Sequence, residues 1–158
     1  MVPNKSKRRV VREKVLQILY AYEMNRESLD TLSQEVLSEI NDKSDKDFAS
    51  ELIRKVLSNL EYLDSKIIER VTNWEMNRIA LIDKILLRMG ICELLYFPDI
   101  PPKVSINESI EIAKDFSTAG SGKFINGILD ALLAEEKKAG RLNKTGRGLV
   151  EESFSPAR

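Results

Sequence analysis

The stretch Ile79–Phe97, IALIDKILLRMGICELLYF, decides the fold class. Drawn as a helix, nearly every turn carries Leu, Ile or Met on more than one side. A helix that is apolar almost all round sits in the middle of a helical protein, not on its surface. Asp83 interrupts the run, and its carboxylate is expected to point outward. Cys92 falls inside it. The chain has no histidine to serve as a base, so Cys92 reads as a small core residue rather than a nucleophile.

On both sides of this stretch apolar residues recur at helical spacing. Val11, Val15, Ile18, Leu19 and Tyr22 form one face of a helix over 8–24. Leu29, Leu32, Val36, Leu37 and Ile40 form another over 28–40, with Ser28 as its N-cap. The polar run 41–45 reads as a loop. Helices follow over 47–60, through Phe48, Leu52 and Val56, and over 62–71, through Leu63, Ile67 and Ile68. After the central block, Pro98, Pro101 and Pro102 stop the helix and stiffen a connection. Two more helices are expected, from about Lys103 to Phe116 and over 121–137, separated by the small-residue loop 117–122. No alternating strand pattern or hairpin signal occurs. The expectation is an all-α chain of about seven helices. Residues 1–138 form its helical body. Periodicity is lost after Gly140, so 139–158 reads as a disordered tail.

The charge is neutral in total, with 25 basic and 25 acidic residues among 158, yet it is unevenly placed. Residues 1–14 carry Lys5, Lys7, Arg8, Arg9, Arg12 and Lys14 against Glu13 alone, a local +5. Residues 135–158 carry +2, which leaves −7 for the middle. Arg8 and Arg12 lie four apart on one helix, where like charges repel by a few tenths of a kcal/mol and also oppose the helix dipole. A local cost of that kind points toward phosphate binding by a basic arm. A solubilising, frayed terminus is the plainer alternative.

Several chemistries are disfavoured. With no histidine and a single cysteine, His-based triads, His-containing zinc sites and internal disulfides are excluded. No apolar run reaches the ~18 residues of a membrane span, and no apolar signal core follows the basic start, so a cytoplasmic protein without membrane contact is expected. Gly120-Ser121-Gly122-Lys123 lacks the first glycine of a phosphate-binding loop and has Phe124 where Ser or Thr would hold magnesium. Glu108 and Glu111 read as a solvated helix face. No cofactor is expected. A binding constellation remains. Lys123 and Phe124 place a cation beside an aromatic at a helix N-terminus, where backbone N–H groups favour phosphate and an exposed ring can stack on a base. Simple core packing of Phe124 is the alternative.

Four segments in order carry a resemblance: RRVVREKVLQILY from Arg8, IDKILLRMGICEL from Ile82, PKVSINESIEIAK from Pro102, and KFINGILD from Lys123. Together they are similar to the NusB family of bacterial transcription antitermination factors, from about Lys7 to Leu133. The resemblance implies two packed helical subdomains. It also implies binding of the boxA element of ribosomal RNA transcripts, a complex with the small-subunit ribosomal protein called NusE in this role, and entry into an RNA polymerase antitermination complex. It places RNA contacts at Lys7, Arg8, Arg9, Arg12, Tyr20, Lys123 and Phe124, and partner contacts at Tyr20 and Asp83. The acidic middle would suit a basic partner. A similar module opens some RNA cytosine methyltransferases, but no catalytic sequence follows here and an enzyme is not expected. A helical protein–protein adaptor with no RNA role is the alternative.

Overall fold

The structure is a computed structural model that describes residues 5–26 and 28–150. Among these it contains eight α-helices, one 3-10 turn and no strand. The chain separates after Ser58 into two compact units.

The first unit holds α1 (Lys7–Asn25), α2 (Leu29–Leu37) and α3 (Lys43–Ser58), with α1 packed on the other two. The stripe read from the sequence is the buried one: Val11, Val15, Ile18 and Leu19 from α1, and Phe48, Leu52 and Val56 from α3. Burying each such side chain contributes about 1.5–3 kcal/mol. Ser6 and Ser28 cap the first two helices, their hydroxyls accepting from the N–H groups of Arg9 (3.1 Å) and Thr31 (3.4 Å). The polar run 41–45 is only partly a loop. Asp42 Oδ1 accepts from the Asp45 N–H at 3.2 Å, and this cap starts α3 at Lys43, five residues before the first residue of its apolar stripe, Phe48. α1 ends on Arg26, which is left-handed at φ 53° and donates its N–H to Tyr22 O at 2.9 Å.

The second unit holds α4 (Leu60–Ile68), α5 (Asn73–Arg78), α6 (Leu81–Tyr96), α7 (Pro102–Phe116) and α8 (Ser121–Lys138). The short α5 has no counterpart in the sequence reading, because six residues are too few to show a period. It is started by Thr72, whose Oγ1 accepts from the Glu75 N–H at 3.0 Å. α6 is the expected central helix. Every residue from Ile85 to Leu94 is buried, and α4, α7 and α8 pack on it. Gly90 permits that close packing, since a Cβ there would lie 2.9 Å from Leu129 Cδ1 on α8 and 3.0 Å from Ser109 Oγ on α7. The polar residues of α6 are met inside the unit. Arg88 grips Asp64 through Nε (2.7 Å) and Nη2 (3.0 Å). Glu93 accepts from the Ser105 hydroxyl at 2.7 Å.

Residues 139–150 depart from the disordered tail that the loss of periodicity suggests. Lys144 Nζ donates to Glu93 O (3.1 Å) and Phe97 O (2.8 Å). Both carbonyls also accept a backbone N–H, Glu93 O from Phe97 and Phe97 O from Ile100, so the ammonium adds a second bond to each at the end of α6. Desolvation lowers its pKa to about 8, with Glu93 and Asp99 opposing. The Thr145 N–H donates to Pro98 O at 3.0 Å, and a 3-10 turn follows over Gly146–Leu149. Gly148 lies so close to Pro98 that a Cβ would overlap the carbonyl oxygen. These ties are made by single polar groups and by backbone, so no hydrophobic period announces them. Residues 151–158 of the expected tail lie outside the described residues.

Candidate nucleic-acid interface

The basic face at the start of α1 is supported from α3. The guanidinium carbons of Arg8 and Arg12 lie 4.4 and 5.1 Å from the centroid of the Phe48 ring. Arg8 Nε donates to Asp45 Oδ1 at 2.8 Å and Nη2 to Ser44 Oγ at 3.1 Å. An aromatic face and a carboxylate thus offset the repulsion that the four-residue spacing creates. The arginines do different work. Arg12 is only 4% exposed, so it props the Phe48 ring rather than offering charge to solvent. Lys7 is exposed, and Arg8 and Arg9 are half-buried. Lys14 is bound to Glu39 at 2.5 Å, and its hydrogen bond and charge hold that carboxyl below its ordinary pKa. The outward cations are therefore Lys7, Arg8 and Arg9, a narrower set than the sequence suggests. Tyr20 comes three helical turns after Arg9. It shares that face of α1, about 16 Å along the axis, and it is exposed.

Ser44, Asp45 and Phe48 carry no signal in the sequence that would mark them as site residues. They stand 36 to 40 residues from Arg8, and no local pattern joins two helices across that distance.

The second candidate region lies in the second unit, where α7 gives way to α8. Here the expectation for Asp83 is corrected. Its carboxylate does not point outward. The residue is 8% exposed, accepting from the hydroxyls of Ser117 (2.6 Å, to Oδ1) and Ser121 (2.7 Å, to Oδ2). The connection 117–121 folds over the first turn of α6, and its hydroxyls replace water around the charge.

Just beyond, Lys123 is exposed and Phe124 is 37% exposed, while Ile125, Ile128, Leu129, Leu132 and Leu133 form the buried stripe of α8. Of the two readings of Phe124, the geometry favours presentation over core packing. Lys123 lines an open pocket of ≈ 450 Å³ with Lys114, Thr118, Asn126 and Gly122, over Ile110 and Ala119. Lys114 is bridged to Glu111 at 2.7 Å. Phe124 lies outside this lining, because successive residues on a helix point about 100° apart. Among the described residues, no group of three His, Cys, Asp or Glu side chains could hold a metal ion, and no helix is long and apolar enough to cross a membrane.

The model of the NusB family matches residues 9–134, which takes in the second candidate region and the first from Arg9 onward. The chain belongs to the NusB family. It is 48% identical to the transcription antitermination protein NusB of Salinibacter ruber over 149 residues, 92% of each chain. It is 49% identical to that of Chloroherpeton thalassium over 146 residues, 91% of this chain and 69% of the relative. Among solved structures, T. maritima NusB superposes with a TM-score of 0.76 at 41% identity, over 84% of this chain and 94% of that one. NusB in a complex of the antitermination factors NusB and NusE with double-stranded RNA superposes with a TM-score of 0.73 at 25% identity, over 81% and 96%. The family match ends at 134, before the segment that Lys144 fastens to α6.

Proposed function

We propose that this chain is an RNA-binding transcription antitermination factor of the cytoplasm. In this reading it binds the boxA element of ribosomal RNA transcripts together with NusE, and with it joins an RNA polymerase antitermination complex. Its work is binding and assembly, with no catalytic step. The observation that carries the reading is the start of α1, where Lys7, Arg8 and Arg9 face outward on a base fixed by Arg12, Phe48 and Asp45. A cationic face that is already fixed loses little side-chain freedom when it meets phosphate. Tyr20 continues that face toward RNA or partner, and Lys123 with Phe124 supplies the second RNA-contacting region.

Salt dependence tests this directly. Lys7→Ala with Arg9→Ala removes two outward charges and leaves the Phe48 stack intact. Affinity for a single-stranded boxA RNA should fall. The slope of log K against log salt should flatten by about 0.7 for each phosphate that is no longer neutralised, while stability changes by no more than about 0.5 kcal/mol. Unchanged affinity and slope would rule out α1 as the RNA face, and an adaptor without an RNA role would show no salt-sensitive binding at all.

Phe124→Ala separates stacking from packing at the second region. A half-exposed ring that stacks on a base should cost roughly 1–3 kcal/mol of RNA affinity with little loss of stability. A core phenylalanine would instead cost about 3–5 kcal/mol in chemical denaturation.

A further inference from the structure

We propose that Asp83 is a positioning residue for the RNA-contacting end of α8, acting as a clamp on the connection between α7 and α8. The inference rests on the RNA-binding reading above. The residue stands in the first turn of the buried α6, so its backbone is anchored by the core. Its two oxygens take hydroxyls from both ends of the connection. Ser117 closes α7, its N–H donating to Ala113 O at 2.8 Å, and Ser121 is the first residue of α8. At 2.6 and 2.7 Å both bonds fall in the short range of charge-assisted O–H···O⁻ pairs. Between the two ends lie Thr118, Ala119 and Gly120, all exposed.

Apolar packing holds α7 and α8 to each other and to α6, but it acts through residues from Ile125 onward. In the first turn of α8 the apolar contact is the close approach of Gly122 to Ile110, where a Cβ would lie 3.3 Å from Ile110 Cγ2, and no large apolar side chain is buried there. Lys123 and Phe124 follow Ser121 by two and three residues. Their direction is therefore set by where Ser121 is held, and Asp83 holds it. The hydroxyls of Ser117 and Thr118 also approach Ser121 Oγ, at 2.9 and 3.0 Å. If the carboxylate is removed they can bond one another, so the clamp can be deleted without stranding polar groups.

The test uses the full-length protein and a labelled single-stranded boxA RNA, read by fluorescence anisotropy beside amide hydrogen exchange. Removing an acid near an RNA site should, by charge alone, strengthen binding. Asp83→Ala should instead weaken it, by on the order of threefold to tenfold. Amides 118–124 should exchange faster while those of 85–94 keep their protection. Asp83→Asn should recover part of the affinity, since its amide can accept from one hydroxyl and donate to the other. In the Asp83→Ala/Phe124→Ala double variant the two losses should fall short of multiplying, because the Asp83 loss acts in part through that ring. Ser117→Ala removes one arm of the clamp and should show a weaker form of the same pattern, which keeps the test available if Asp83→Ala folds poorly.

Unchanged or tighter RNA binding by Asp83→Ala, with Phe124→Ala weakened, overturns the clamp. So do losses that multiply in full, or faster exchange shared equally by α6. If Phe124→Ala itself binds RNA normally, the RNA role of this region fails, and the exchange of 118–124 still decides whether Asp83 orders the loop.

Discussion

Asp83→Lys should lower the melting midpoint by on the order of 10 °C, at about 2–4 °C per kcal/mol for a chain of this size. The substitution removes a carboxylate that two hydroxyls solvate and drives an ammonium into the same buried place. An unpaired charge at a buried site costs about 3–5 kcal/mol. Binding to NusE and binding to RNA should then decline together, in step with the folded fraction. Thermal unfolding beside calorimetric titration with each ligand checks this. Loss of NusE binding alone, with the melting midpoint unchanged, would show that the carboxylate faces a partner after all.

Glu136→Gln should cost about 3 kcal/mol, because it uncharges the acceptor of two cations. Glu136 is 2% exposed on α8. It accepts from Arg141 at 2.8 and 3.1 Å and from Lys66 at 3.4 Å, and Lys66 is itself buried on α4. The glutamine keeps the shape and leaves the Lys66 ammonium without its buried counter-charge. The bonds from Arg141, with the charge of Lys66, hold the Glu136 pKa below its ordinary value against the opposing effect of burial. A carboxyl that is more acidic folded than unfolded stabilises the fold above its unfolded pKa of about 4.3. That contribution is lost as pH falls through the lower folded value. Urea denaturation should therefore show the full gap between wild type and Glu136→Gln near pH 7 and a narrowing gap below about pH 4. A gap independent of pH would assign the effect to packing rather than charge. The Arg141 bond also fastens the segment after α8, so protease sensitivity beyond Gly140 should rise in the same variant.

The helices were legible wherever an apolar stripe ran long enough to show its period, as in α1, α3, α6 and α8. The stripe fails at six-residue α5 and at the polar start of α3, where a single cap sets the boundary. The candidate site was legible in residue type and less so in arrangement. Arg8 and Arg12 look equivalent in the sequence, four apart on one helix, yet one offers charge and the other is buried beneath it. The difference comes from Phe48, brought against α1 by the packing of α3. Asp83 fails for the same kind of reason. A charge in an apolar helical run is expected to seek water, and only the return of the chain at Ser117 and Ser121 supplies hydroxyls in its place.

What the sequence by itself determined is thus the all-α class, the central helix, the buried stripes and the basic start, together with the family to which its four segments belong. All of these rest on residue type and on periods within one helix, which local chemistry dictates. What only the tertiary structure decided is which polar groups meet: Arg12 on Phe48, Asp83 under the α7–α8 connection, Lys144 on the end of α6, Glu136 between Arg141 and Lys66. A buried charge must find a partner wherever the fold brings one, and these partners lie up to 70 residues away in the chain.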